Sequence, residues 1–184
     1  HVMFIRRGEK NSKMPDIKDR ALTLTKGHSV EELRGLIDKV YESEIRPRLW
    51  PRSVERVKHH LAQGDEVWLV TAAPVELAQK IAADLGATGA LGTIVGHDGD
   101  VLTGELVGDP LHGKAKRKAI KKLAQERNIS LKRSFGYSDS VNDLPMLSAV
   151  GNAVAVNPDA QLRRYANAAG WEILRQNRRE LRGK

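Results

Sequence analysis

Residues 67–86, VWLVTAAPVELAQKIAADLG, decide the fold. Val67 to Val70 form an apolar run short enough to be a buried strand. Beyond Thr71 and Pro74 the spacing changes to Ala78, Ile81, Ala82 and Leu85, the repeat of a helix with one buried face, and Gly86 closes it. A strand feeding a helix in this way is the unit of a parallel sheet covered by helices.

Working outward, Val54, Val57 and Leu61 make a helical stripe that ends at Gly64. Before it, the segment Pro47-Arg-Leu-Trp-Pro51 opposes helix continuation and marks a module boundary. Residues 1–46 are strongly charged and lack alternating runs. Their best periodic face is Val30, Leu33, Ile37, Val40, Tyr41 and Ile45, opened by a capping box of Ser29 and Glu32. Downstream, Ile94 to Gly108 (IVGHDGDVLTGELVG) reads as a hairpin turning at His97 to Asp100. Ala119, Ile120, Leu123 and Ala124 mark a helix, and Phe135 and Tyr137 a strand that ends at Ser138-Asp139. Leu144, Met146, Leu147 and Val150 start another helix, and Ala153–Val156 and Trp171–Leu174 read as two further strands. The pattern predicts an α/β, Rossmann-like parallel sheet flanked by helices, with a small helical module and a hairpin insertion. Residues 1–46 form the helical module, 47–174 the core, and 175–184 a basic, frayed tail.

Composition narrows the function classes. With 184 residues and 40% hydrophobic content, the chain supports one good-sized core and is not a disordered segment. It has no cysteine, so a metal must be held by oxygen or imidazole, and a reducing, cytoplasmic setting is expected. No apolar run approaches the roughly 18 residues of a membrane span. Lys and Arg outnumber Asp and Glu by 31 to 23, and the net charge of +8 favours anionic partners such as phosphate esters.

Three places carry candidate chemistry. Thr71 follows a strand and precedes a helix, so its hydroxyl and the amide of Ala72 beside it suit a phosphate oxygen; the plainer alternative is a helix cap. In Tyr137–Leu147, YSDSVNDLPML, Asp139 stands at a strand end and Asp143 four residues on. One or two such carboxylates suffice for Mg2+, which keeps several waters; the alternative is an acidic turn and cap. Six of the nine residues from Lys114 to Lys122 are Lys or Arg. Most belong to a solvated face, while one near the helix start suits a bound phosphate. His59 and His60 are adjacent and read as a surface pair, His97 sits in the hairpin turn, His112 is given a structural role, and no nucleotide-binding glycine loop is present.

A strand ending in Thr71, then Lys116, then Asp139 with Asn142 and Asp143 resembles the haloacid dehalogenase-like phosphohydrolases, in their phosphoserine-phosphatase-like branch. The hairpin stretch DGDVLTGELVG resembles the one that this branch carries between its second and third motifs. The resemblance implies that Thr71 bonds the phosphoryl group with Ala72, that Lys116 or Lys114 offsets its charge, and that Asn142 orients it. Asp139 is then the Mg2+ ligand and Asp143 its support. Lys116 is preferred over Lys114 because Ile120, the first buried residue of the helix, is four residues on. Residues 1–46 belong to the helical cap, where Arg20, or Ala21 one place on, matches the arginine that reads a substrate carboxylate. L-phosphoserine and other small phosphorylated metabolites are the implied substrates.

The sequence departs from that family at its first motif, D-x-D on the central strand, which supplies the nucleophile and the acid-base carboxylate. Asp16 and Asp19 have the wrong spacing and no strand before them. Because the missing strand would occupy the sheet centre, and its loss would expose unpaired backbone and apolar surface on both neighbours, an upstream apolar strand ending in D-x-D is expected in the intact protein; the His1 start agrees, and the chain by itself is expected to be inactive. The competing expectation is a nucleophile-less relative that binds phosphate or nucleic acid. Nucleic acid is disfavoured because aromatics are 4% and none interleaves with the lysine run.

Overall fold

A computed structural model describes residues 25–177 and 179–182. Arg20, Ala21, Asp16 and Asp19, with most of the expected cap, lie outside the described residues. In chain order the elements are α1 (Val30–Val40), α2 (Pro51–Ala62), β1 (Trp68–Pro74), α3 (Val75–Leu85), β2 (Gly89–Thr93), β3 (Val95–Asp98), β4 (Val101–Leu106), α4 (Lys114–Glu126), β5 (Phe135–Ser138), α5 (Leu144–Leu147), β6 (Asn152–Val156), α6 (Ala160–Ala169) and β7 (Glu172–Leu174). β1 runs parallel to β2, β5, β6 and β7 form a second parallel group, and β3 and β4 pair antiparallel as the expected hairpin.

Local chemistry explains most boundaries. The capping box at α1 is present: the Glu32 amide donates to Ser29 Oγ at 3.0 Å, and the Ser29 amide donates to Glu32 Oε2 at 2.8 Å. After Val40 the helix widens into a π turn over Tyr41–Ile45 before Pro47 stops it. That turn shifts the apolar face. Tyr41 and Ile45 are buried as expected, but Val40 is exposed. Two elements go beyond the sequence pattern. β2 is built from Gly-Ala-Leu-Gly-Thr, which has no β-branched run to announce it. At Gly92 a Cβ would stand 2.5 Å from the Cα of Val75, so glycine alone lets β2 close on the start of α3. α6 is capped by Asp159, which accepts from the amides of Gln161 and Leu162.

Helices α4, α5 and α6 cover one face of the strands through Ile120, Met146, Leu147, Leu162 and Ala166, packed with Val70, Ala153 and Ala155. Tyr41, Ile45 and Ile81, with Leu69, Leu77 and Leu85, pack on the other side. α1 is fastened to α3 there: the Tyr41 hydroxyl and Arg46 both donate to Asp84, and Lys80 pairs with Asp38 at 2.8 Å. Burial and the Asp84 carboxylate push the Tyr41 hydroxyl up to about 12. The Tyr41 hydrogen bond and Arg46 hold Asp84 below the usual carboxylate range. The chain before α1 also joins the hairpin, with Gly27 donating to Leu102 O and Val30 to Asp100 O.

Within the segment expected to fray, Gln176 is anchored instead. Gln176 is buried, accepts from the Ser53 amide, donates to the Ser53 hydroxyl, and is fixed by Asn157. Polar partners on α2 and just after β6 anchor it where composition alone suggested fraying.

Among the described residues no hydrogen bonds join β1 to β5. Between them lies a cavity of about 680 Å³, lined by Val67–Val70 on one side and Gly136–Asp139 on the other, with α2 and α4 closing it. One residue of strand fills roughly 4.8 by 10 by 3.3 Å, or ~160 Å³. The cavity is therefore large enough to admit an extended segment between the two strands.

Candidate functional site

The site is built at the carboxyl end of β5. That strand finishes at Ser138, and a 3-10 turn over Val141–Asp143 follows. The tight turn directs the Asp143 side chain inward, where it is 2% exposed. Lys116 comes from the first turn of α4 and is equally buried at 2%. Its Nζ lies 2.8 Å from both oxygens of Asp143, and the Ser138 hydroxyl donates to Asp143 Oδ2 at 2.7 Å. Gly113 makes this docking possible. It holds φ +52 and ψ −116, which other residues rarely adopt, and it starts α4 against the carbonyl of Asn142.

Asp139 lies beside this pair. Its carbonyl accepts from the Asp159 amide at 2.8 Å, while Asp159's side chain accepts from Val141, so the cap of α6 braces the whole turn. Asp139 Oδ1 is buried with no hydrogen-bond partner. Burial pushes its carboxyl up, and the nearby Asp143 and Asp159 carboxylates act in the same direction. A buried, unpartnered carboxylate oxygen at a sheet mouth fits a hard cation, which takes oxygen donors. Among the described residues no group of three or more acidic or histidine side chains converges, so any such cation would keep most of its ligands as water or substrate.

The candidate residues divide accordingly. Lys116, Asp143 and Asp139 come together, and Lys114 is exposed. Asp143, expected to support the metal site, has both oxygens within 2.8 Å of Lys116 Nζ. The turn that carries Asp143 is 3-10 rather than α-helical, which brings its side chain onto Lys116. Asn142 is exposed on the turn. Thr71 and Ala72 belong to the end of β1, on the other side of the cavity. Thr71 does not cap α3; its Oγ1 accepts from the Ala73 amide at 3.1 Å, and α3 begins at Val75 with Pro74 at the N-cap and no side-chain cap. The Ala72 carbonyl accepts from Thr93, whose hydroxyl also accepts from the Leu111 amide.

Ser138 is a positioning residue at the Ser-Asp that ends β5, and Thr93 and Asp159 are positioning residues outside the motif. Only Asp159 left a signal, an Asp ahead of the helical pair Leu162 and Ala166. His60 is not a simple surface group: it lies 2.8 Å from both Asp65 Oδ2 and the Tyr137 hydroxyl, tying α2 to β5. Among the described residues no helix is long and apolar enough to cross a membrane.

Known proteins match this arrangement. The model of the haloacid dehalogenase-like hydrolase family matches residues 3–148. A phosphoserine phosphatase of Mycobacterium tuberculosis is 49% identical over 154 residues, covering 84% of this chain and 50% of its own length. The chain thus spans about half the length of the curated relatives that it matches first. A crystal structure of a protein of unknown function from Bordetella pertussis Tohama I superposes with a TM-score of 0.80 at 32% identity, over 91% of this chain and 76% of that one. The structure of a phospho-aspartyl intermediate analogue of phosphoserine phosphatase shares the fold, with a TM-score of 0.63 at 22% identity, over 90% and 74% of the two chains.

Proposed function

We propose a function from one premise: the chain belongs to the haloacid dehalogenase-like hydrolase family, whose model matches 3–148. The function is Mg2+-dependent hydrolysis of a small phosphomonoester, with L-phosphoserine among the substrates. The observation that carries it is the buried Lys116–Asp143 pair beside the unpartnered Oδ1 of Asp139. A lysine kept at 2% exposure by a carboxylate is not a solvated surface charge.

In this reading Lys116, oriented by Asp143 and Ser138, offers positive charge to the phosphoryl oxygens. Thr71 donates its hydroxyl to the same group, and the Ala72 amide and Asn142 help to orient it. Asp139 holds the Mg2+, which when bound neutralises phosphoryl charge. The nucleophile is an aspartate on an upstream strand that fills the cavity between β1 and β5. The strand's width and the cavity volume support this, as do the two strand edges whose backbone groups it would pair. That aspartate attacks phosphorus, the bond to the alcohol oxygen breaks, and the second aspartate of D-x-D protonates the leaving group. Water then hydrolyses the aspartyl-phosphate and releases inorganic phosphate. Residues 1–46 are assigned to the cap and 47–174 to the core, and Arg20, or Ala21 one place on, is matched to the arginine that reads a substrate carboxylate.

The test is turnover of para-nitrophenyl phosphate by the protein with its D-x-D strand, with Asp139→Asn as the variant. Loss of Mg2+-dependent turnover is expected; unchanged turnover rejects the assignment.

A further inference from the structure

Cations are held differently on the two sides of the sheet. Arg46, Arg48, Arg52, Arg56 and Lys80, along α2, α3 and the turn before α2, each pair with a carboxylate. On α4 the exposed cations recur at Lys114, Arg117, Lys118 and Lys121, a spacing that sets them on one stripe of the helix, away from the buried Lys116 and Ile120. Among the described residues none of these four side chains has an ion-pair or hydrogen-bond partner, and neither do those of Arg163 and Arg164, exposed on α6 over the same face of the strands. The one acidic residue within the two helices is Glu126, which lies 3.7 Å from Lys122.

Such a stripe works against the helix that carries it. Like charges three and four residues apart repel, and cations in a first turn oppose the helix dipole; the first turn of α4 has no acidic residue to offset them. Packing gains nothing in return, because α4 meets the core through Ala115, Ala119 and Ile120 instead. An anionic surface outside the chain relieves both conflicts. The character of the face narrows what that surface is. On α4 the stripe is mainly lysine, a hydrated point charge, rather than the planar arginine fork that grips a fixed phosphate. No aromatic side chain stands on α4 to stack a base, and Tyr165 on α6 leans on Trp171. Charge without fixed geometry or an apolar anchor suits lipid headgroups, which move to meet it.

We infer that the outer face of α4 and α6 docks this protein on an anionic lipid bilayer by charge, without insertion. The inference does not rest on the phosphatase reading, although the stripe starts at Lys114, two residues before Lys116, and so places the bilayer beside the candidate site.

The test is co-sedimentation of the protein with its D-x-D strand with vesicles of phosphatidylglycerol and phosphatidylcholine, or of phosphatidylcholine alone. One variant is Arg117→Gln/Lys118→Gln/Lys121→Gln. A second, Arg34→Gln/Lys39→Gln/Lys58→Gln, removes the same charge from exposed positions on α1 and α2. The parent is expected to bind only the anionic vesicles and to leave them as salt rises from about 0.15 M to about 1 M. Each cation near an anionic surface is worth about fivefold in affinity, so the α4 variant should bind about a hundredfold more weakly. Its melting temperature should not fall, because repulsion along the helix is relieved. The α1 and α2 variant should bind as the parent does, and so should the charge-keeping Lys118→Arg/Lys121→Arg. No binding by the parent at about 0.15 M salt overturns the proposal, as do equal losses in the two triple variants, which would trace binding to net charge, or a loss in the charge-keeping variant. Tighter binding to mixed-sequence duplex DNA than to the vesicles, removed by the α4 variant, also overturns it and makes the face a nucleic-acid site.

Discussion

Asp143→Asn keeps the shape of the side chain and removes its charge, leaving the Lys116 ammonium at 2% exposure without its ion-pair partner. Removing one partner of a buried ion pair costs about 3–5 kcal/mol, because the survivor is stranded in a poorly solvating interior. Set against a total stability of about 5–15 kcal/mol, that is a third or more for many domains. With a urea slope of about 2 kcal/mol per molar, the unfolding midpoint falls by roughly 1.5–2.5 M. Lys116→Met strands Asp143 in the same way and gives a similar loss. The double variant Lys116→Met/Asp143→Leu buries no charge, so it regains most of the lost stability while remaining inactive. Equilibrium urea unfolding at neutral pH, followed by both circular dichroism and tryptophan fluorescence, measures all four proteins. Single variants within about 1 kcal/mol of the parent, the range of exposed pairs, would refute the reasoning. So would a double variant whose loss is the sum of the two singles.

Two further outcomes follow from the carboxyl groups. The Tyr41 hydroxyl and Arg46 lower the Asp84 carboxyl, so its stabilisation is complete above the unfolded value of about 4 and disappears as pH falls through the lower folded value. The stability gap between the parent and Asp84→Asn should therefore close on acidification below about pH 4, and a gap that stays constant in acid melts contradicts the assignment. Asp139 is the opposite case: burial raises its folded value, so stability falls as pH rises from about 4 through that value. Without divalent cations, Asp139→Asn should melt above the parent at neutral pH. Mg2+ at ten times its Kd should stabilise the parent by about 1.4 kcal/mol, roughly 3–6 °C, and the variant by nothing measurable. Equal Mg2+ shifts in the two proteins would remove Asp139 from the cation site.

The alternation of strands and helices from Val67 to Leu174 was legible because apolar spacing alone separates a four-residue run from a helical stripe. β2 was not, since its residues are small and its place is set by how closely Gly92 lets it approach Val75. α6 was also missed, since Leu162 and Ala166 make only a thin stripe and Tyr165 on the same helix is exposed. At the site, the four-residue offset from Lys116 to Ile120 does identify the buried lysine, with Ile120 9% and Lys116 2% exposed. The part played by Asp143 was not legible. Spacing locates a residue along a helix, whereas the 3-10 turn after Ser140 rotates this carboxylate into the interior. Thr93 had no signal at all, because a doubly bonded hydroxyl depends on contacts between distant elements.

The central claim is that the space between β1 and β5 takes a strand whose aspartate works with Lys116, Thr71 and Asp139 on a phosphomonoester. Phosphate release from O-phosphoserine and para-nitrophenyl phosphate tests it most directly, measured for the 184-residue chain and for the same chain extended upstream by an apolar strand ending in D-x-D. The account predicts Mg2+-dependent release by the extended chain, none by the shorter one, and none after replacement of the first aspartate of D-x-D. Equal release by both chains, or an extended chain that folds and binds Mg2+ yet hydrolyses neither ester, would contradict it.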